Sequence, residues 1–271
     1  KYIHETQIIY SDTLALNLDI LAYVSRYNLH QHIRSSEDQD PMSKEPFYVT
    51  TPIYYVNGEP HIGTAYTTVA TDATARFARM DGRDVFFLTG MDEHGEKVAE
   101  AAAAHGMTPQ EWCDSQVTQF TELWRDLDIT NDDFIRTTQP RHVKGVQDFM
   151  QKLHDNGYLY KGTYDGYYCT PCETQFTEGD LVDGKCPDCG REVKVIHEEN
   201  WFFKLSEFGD KLLAYYDEHP NFIRPQIREN EIRSFIEGGM HDLSVSRTAF
   251  DWGIPLPFDP EHVTYVWVDA L

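Results

Sequence analysis

At 271 residues, with 41% hydrophobic residues and a net charge of −22, the chain is long enough for one large domain or two smaller ones and too acidic to coat a nucleic acid with its whole surface. A mean hydropathy of −0.53, with no apolar run near the ~18 residues of a membrane span, points to a soluble chain with no membrane partner. Five cysteines are too few for a disulfide scaffold at this length. Four of them form two close pairs, which in an intracellular chain suggests metal, and the fifth, Cys113, reads as a buried small hydrophobe.

Residues 1–41 differ from the rest of the chain. They hold no methionine and carry six acidic residues against three basic ones, which is wrong for a transit peptide, and no charged-then-apolar secretory pattern opens them. Composition changes at Met42-Ser43-Lys44-Glu45. The expectation is that Met42 is the natural start and that residues 1–45 are a non-native or disordered extension.

The stretch 47–56, FYVTTPIYYV, is β-branched and aromatic, stops at Asn57-Gly58 and reads as a buried strand. From Ile62 the apolar residues fall at 62, 65, 66, 69, 73, 77 and 80, which is helical spacing, and Gly82 ends the run. DVFFLTG (84–90) reads as a second strand, and an alanine-rich helix follows it to Gly106. Thr108-Pro109-Gln110-Glu111 is a capping box with proline at the first helical position. The helix it opens sets Trp112, Phe120, Leu123, Trp124 and Leu127 largely on one side. A further helix is predicted from Arg141 to Asn156, stopped by Gly157. Strands alternating with helices imply a parallel sheet with right-handed crossovers.

Over residues 158–200 the pattern changes to short strands and turns. Helical sequence returns at Ser206–His219 and Gln226–Glu237, and strand-like runs at LSVSR (243–247) and VTYVWVD (263–269). Within the changed region, Cys169-Thr-Pro-Cys172 and Cys186-Pro-Asp-Cys189 are separated by thirteen residues. Each pair presents two thiolates at one tight turn, with Gly184 and Gly190 beside the bends. Four thiolates fill a tetrahedral Zn2+ with no open position, so the site is expected to be structural; a disulfide pair is the alternative.

One junction stands out: NGEPHIGTAYTT (57–68), where the first strand hands over to the first helix. Helix N-termini carry unpaired N–H groups and bind phosphate, and open α/β sheets bind ligands beyond the carboxyl ends of their strands. His61 there is placed to donate to phosphate oxygens, and Gly63 would let a ligand lie against the backbone. The equal alternative is that His61 only caps the helix.

The HIG core of this stretch resembles the HIGH motif of class I aminoacyl-tRNA synthetases. Taken with YVTTPIYYVNGEPHIG, FLTGMDEHGEKV, the paired cysteines and YVWVDAL in that order from Phe47 to Leu271, the chain resembles the methionyl-tRNA synthetases. The resemblance implies a Rossmann-type α/β domain split by a connective insertion: residues 46–160 its first half, 161–240 the insertion with the zinc knuckle, and 241–271 the start of the second half. It implies a cytoplasmic enzyme that uses ATP with Mg2+ to convert L-methionine to methionyl-adenylate and then charges the methionine tRNA. ATP contacts carry over to Asn57, His61, Gly63 and Thr64, with His61 and Thr64 as the catalytic pair, Thr64 standing where the family has a second histidine. Methionine contacts carry over to Pro52, Ile53, Tyr55, Asp92, Arg247, Trp267 and Ala270, and His94 to the adenylate site.

Each assignment has a plainer counterpart: core packing for Ile53 and Trp267, a helix N-cap for Asp92. The family's lysine-bearing KMSKS loop and its anticodon-binding domain are expected beyond Leu271; Met42-Ser43-Lys44 precedes the first strand and is the wrong place for that loop. The few basic residues, Arg136, Arg141, Lys144, Arg224, Arg228 and Arg233, read mainly as solvated faces of helices, so tRNA binding by this chain is expected to be weak. The competing expectations are a methionine- or ATP-binding module without turnover, and a class I synthetase for another amino acid.

Overall fold

The computed structural model describes residues 44–270 apart from Glu173, so the Met42 start and most of the 1–45 extension lie outside the described residues. The described chain forms two compact units, one of residues 44–146 with Ala270, the other of residues 147–269.

The first unit is built on a parallel sheet, as the alternation of strands and helices predicts. β1 (Lys44–Thr50) and β2 (Tyr54–Tyr55) precede helix α1 (Ile62–Met80), and β3 (Arg83–Asp92) follows it. β1 lies against β3 with Tyr48 opposite Phe86, and β2 meets the end of β3 with Tyr55 opposite Asp92. The single buried strand expected over 47–56 is therefore broken. Pro52 has no N–H for the ladder, and from Tyr48 to Tyr54 six steps of chain match five from Phe86 to Met91, which is the signature of a bulge. Nor is it wholly buried, since Tyr48 is 50% exposed.

Helix α1 forms where the spacing places it, but the apolar stripe lies outward. Ile62 is 88% exposed, Phe77 70% and Met80 86%, while the buried side is Thr64, Thr68, Asp72, Ala75 and Ala78. Small and hydroxylic side chains let this face lie close, and Asp72 is buried because it is fully used: its carboxylate accepts from the Thr130 N–H and hydroxyl and from Arg76 Nε.

Helices α2 (Glu96–Ala104) and α3 (Pro109–Asp126) come next, the second opened by the predicted box, with Thr108 Oγ1 accepting from Glu111 N–H and Glu111 accepting from Thr108 N–H. α3 buries Trp112, Cys113, Phe120 and Trp124; Leu127, expected on the same side, is exposed. Phe120 and Trp124 pack on Tyr54 at ring separations of 6.1 and 5.7 Å, and the Trp112 indole N–H donates to the Val56 carbonyl at 2.7 Å. The end of β2 is thus held from below by α3.

β4 (Asp133–Arg136) completes the sheet with Gly90 opposite Ile135. A Cβ on Gly90 would stand 2.1 Å from the Ile135 carbonyl oxygen, so β3 and β4 meet backbone to backbone here. Helix α4 (Pro140–Asp155) then buries Val146, Phe149, Met150 and Leu153, one stripe at helical spacing.

In the second unit the short strands expected over 158–200 prove to be one long antiparallel ladder. β5 (Leu159–Cys169) runs against β7 (Lys194–Phe203) from Leu159 opposite Phe203 to Tyr168 opposite Lys194; β6 (Thr174–Phe176) returns on β5. A single 3-10 turn over Leu205–Phe208 replaces the start of the helix expected from Ser206, and α5 (Gly209–Glu218) and α6 (Gln226–Glu237) bury Leu212, Tyr216, Ile232 and Ile236 together. β8 (Leu243–Ser244) joins β7. β9 (Ser246–Arg247), β10 (Pro255–Leu256) and β11 (Asp259–Thr264) make a small sheet in the order β10-β11-β9. The strand expected over 263–269 ends at Thr264. There α7 (Val266–Asp269) begins, with Val268 and Asp269 N–H donating to the Tyr265 carbonyl, so Trp267 sits on a helical turn.

Candidate functional site

Beyond the carboxyl end of β2, the chain turns at exposed Asn57 and enters α1 through His61, which is both the cap and an exposed side chain. His61 Nδ1 accepts from Gly63 N–H at 3.1 Å, and Thr64 Oγ1 accepts from His61 N–H at 3.5 Å. The capping alternative is therefore realised, and it has a chemical consequence. A neutral imidazole that accepts at Nδ1 carries its proton on Nε2, so the cap fixes the tautomer and makes Nε2 the donor. Gly63 also has a local reason to lack a side chain: a Cβ there would lie 3.0 Å from His61 Cε1, so its absence makes room for the imidazole. Thr64 is buried, its hydroxyl oxygen accepting in the cap and its carbonyl accepting from Thr68 Oγ1 at 3.0 Å.

Asp92, the last residue of β3, is buried beside Glu93 and His94. The N-cap alternative for Asp92 does not hold: α2 is capped by Gly95, without a side-chain hydrogen bond. Asp92 is the register partner of Tyr55, and parallel neighbours in register project to one face. Lys97 Nζ stands 5.3 Å from the centre of the Tyr55 ring. Pro52 is exposed and Ile53 half-buried, so neither is simple core. Asn57, His61, Tyr55 and Asp92 thus gather at the carboxyl edge of the sheet.

In the second unit Arg247, on β9 opposite Val263, is buried. Its guanidinium donates to the Ser246 carbonyl at 2.7 Å and to Ser244 Oγ at 3.0 Å and lies 4.0 Å over the Tyr265 ring; Nε has no partner among the described residues. Trp267 and Ala270 are half-buried.

The four cysteines converge as their spacing predicts. Their sulfur atoms all lie within 4.8 Å of one another, with Cys169 to Cys189 at 3.5 Å and Cys172 to Cys186 at 3.8 Å, and none is in a disulfide. Zinc–thiolate bonds of about 2.3 Å in a tetrahedron put sulfurs roughly 3.8 Å apart, so the cluster has the size of a zinc site. Burial pushes the Cys169 thiol up to about 11 and raises Cys172 as well; four thiolates gather here only if a cation compensates them. The turns are made by Cys172 N–H on the Cys169 carbonyl and Gly190 N–H on the Cys186 carbonyl, Gly190 having φ of +70°.

Four of the six basic residues singled out by the sequence are paired with the chain's own acids, at surfaces that stay partly solvated, Arg141 being half exposed. Arg141 binds Asp133, Arg228 binds Glu231, and Arg233 binds Glu229 and Asp217. Arg136 is on strand β4 and binds Glu93 and Asp114. That last pairing, beside Asp92, escaped the sequence reading. Only the proximity of Glu93 to Asp92 could have signalled it, since Arg136 is 43 residues away.

A parallel sheet with a histidine-capped helix N-terminus beyond its carboxyl edge is an open α/β unit, the architecture whose ligand sites lie beyond the strand ends. A family profile described as "tRNA synthetases class I (M)" matches residues 47–196 and 190–271. A methionine–tRNA ligase of Caldanaerobacter subterraneus subsp. tengcongensis is 57% identical over 228 residues, covering 84% of this chain and 36% of that protein. Another, from Thermotoga maritima, is 56% identical over 229 residues and likewise covered over 36% of its length. Among solved structures, Mycobacterium tuberculosis methionyl-tRNA synthetase in complex with methionyl-adenylate superposes with a TM-score of 0.80 at 46% identity, over 84% of this chain and 45% of that one. The chain belongs to the class I tRNA synthetase family of that profile, and spans about a third of the length of the curated relatives it matches. Among the described residues no helix is long and apolar enough to cross a membrane.

Proposed function

We propose that this chain carries the amino-acid-activating site of a cytoplasmic methionine–tRNA ligase. The methionine carboxylate attacks the α-phosphorus of ATP, brought with Mg2+, and pyrophosphate leaves. A hydroxyl of the terminal adenosine of the methionine tRNA then attacks the adenylate's carbonyl carbon and AMP leaves. No covalent nucleophile from the protein is needed, so catalysis is positioning and stabilisation of phosphate charge.

The observation that carries this reading is the His61 cap. It presents an Nε2–H at an exposed helix N-terminus beyond the carboxyl edge of the sheet, where an anionic phosphate is favoured by both the donor and the helix dipole. Asn57 and Gly63 flank it. Thr64, committed to the cap, acts by holding His61 and not by a second charge. Within the first unit, Asp92 is assigned to the methionine ammonium, Pro52, Ile53, Tyr55 and Ala270 to the thioether, and His94 to the adenylate; Arg247 and Trp267 of the second unit are assigned to methionine by family resemblance alone. Cys169, Cys172, Cys186 and Cys189 hold a zinc ion, whose contribution is structural, within a connective insertion over residues 161–240.

The test is ATP–pyrophosphate exchange with a panel of amino acids, on this chain and on a form extended past Leu271. Methionine-dependent exchange in the extended form supports the reading. Exchange with leucine, valine or cysteine instead, or methionine binding without exchange in either form, overturns it. Because the arginines are engaged internally, tRNA binding by this chain alone is weak and falls steeply with salt in a filter-binding titration.

A further inference from the structure

Glu93, which follows β3 at the carboxyl edge of the sheet, is a buried carboxylate held at both its side chain and its backbone. It is 0% exposed. One carboxylate oxygen accepts from Arg136 Nε at 2.7 Å, and the other accepts from the Thr138 hydroxyl. Its backbone is fixed as well: Glu93 N–H donates to Thr137 Oγ1 at 3.0 Å, and the Cys113 thiol donates to the Glu93 carbonyl at 3.6 Å. Arg136 is anchored in turn by Asp114 Oδ1 at 2.6 Å. Three separate segments, β4, α3 and the 137–138 turn, therefore meet on this one residue, which directly follows β3. Its neighbours in sequence are Asp92 and His94, both buried at the same edge.

A buried carboxylate is costly unless it is paired and hydrogen-bonded, and an apolar side chain would stabilise the sheet as well. What the ion pair adds is direction. The peptide planes on both sides of Glu93 each carry a hydrogen bond, so the backbone that bears Asp92 and His94 is held.

We propose that Glu93, locked by Arg136 and Thr138, is a positioning residue for amino-acid activation: it fixes the Asp92-Glu93-His94 segment so that Asp92 meets the substrate ammonium group. This rests on the proposed synthetase reading. Glu93 touches no substrate, and its effect passes through Asp92. Misplacing a binding group by about 1 Å costs up to roughly a hundredfold, so the effect is kinetic and specific to the amino acid.

The test uses the extended form carrying Glu93→Gln, Arg136→Met, Arg136→Lys and the double change Glu93→Gln with Arg136→Met. Exchange kinetics are measured at varied methionine and varied ATP, alongside thermal unfolding. Glu93→Gln is expected to raise KM for methionine roughly tenfold or more while KM for ATP stays within about twofold. Arg136→Met should match it, Arg136→Lys should recover part of the loss, and the double change should be no worse than the single ones because both break one link. Unchanged methionine KM in a folded Glu93→Gln overturns the inference. So does an equal rise for ATP and methionine that tracks lost thermal stability. If Glu93→Gln does not fold, Arg136→Lys, which keeps the charge, decides by the same two constants. A parent protein that activates no methionine at all sinks the synthetase reading and this inference with it; an active parent with unaffected variants sinks this inference alone.

Discussion

Asp72 holds Thr130 at two points, its Oδ1 accepting from the backbone N–H at 2.7 Å and from the hydroxyl at 2.6 Å. The contact ties the middle of α1 to the turn that leads into β4, a separation of 58 residues. Arg79 reinforces it, donating to Thr130 Oγ1 at 2.7 Å and to Asp132.

This clasp is pH-dependent. Burial acts to raise the Asp72 carboxyl, but the hydrogen bonds from Thr130 and Arg76 outweigh it and hold the group below the ordinary carboxylate value. A depressed folded-state value gives stability that is fully present above the unfolded value of about 3.9 and is lost as pH falls through the folded one. Asp72→Asn should therefore cost about 1–3 kcal/mol near neutral pH. The gap between parent and variant should close below pH ~4 in urea titrations.

His61 has two roles that one pair of substitutions separates. His61→Ala removes the cap and should cost about 1 kcal/mol, whereas His61→Asn keeps a capping acceptor and should cost little. If Nε2 also donates to phosphate, both variants of the extended form lose roughly a hundredfold or more in exchange rate. Recovery of full rate in the asparagine variant would leave only the cap.

Metal removal should melt one part of the molecule and spare another. With a strong chelator, hydrogen exchange is expected to accelerate over residues 167–192, whose order depends on the four thiolates, and to stay slow in β3 and β4. Thiol titration should then find four reactive cysteines. Cys113 stays silent, because burial pushes its thiol up to about 12 and the side chain is inaccessible.

The outward stripe of α1 predicts almost no stability change where replacing large apolar residues usually brings a loss. Phe77→Asp and Met80→Lys should change the stability of this chain by less than about 0.5 kcal/mol, since neither side chain is packed. Both should lower its binding of a hydrophobic dye.

What sequence reading reached was local. The Thr108 box, the stops at Gly82, Gly106 and Gly157, and the two cysteine turns are each written in four or five adjacent residues, and all are found as expected. What it missed depends on distant partners. Periodicity places Ile62, Phe77 and Met80 on one side of α1 but cannot say whether that side meets protein; burial is decided instead by Asp72 and Thr130. The long β5–β7 ladder was obscured because Gly162 and Gly166 interrupt its aromatic alternation, and pairing with residues far along the chain, from Leu159 with Phe203 to Tyr168 with Lys194, supplies its length. The 263–269 run looks like a strand because Val, Tyr and Trp favour strands, yet Tyr265 takes its carbonyl into a helical turn. The His61 cap was legible from its position at the junction. Glu93 was not, because its meaning comes from Arg136 on another strand.

The meeting of Gly90 with Ile135 carries a genetic consequence. Every glycine codon is GGN, and any change in its first or second base inserts an atom where the neighbouring strand's carbonyl already stands. A mutational scan of this gene should therefore recover the Gly90 codon only as silent third-position variants.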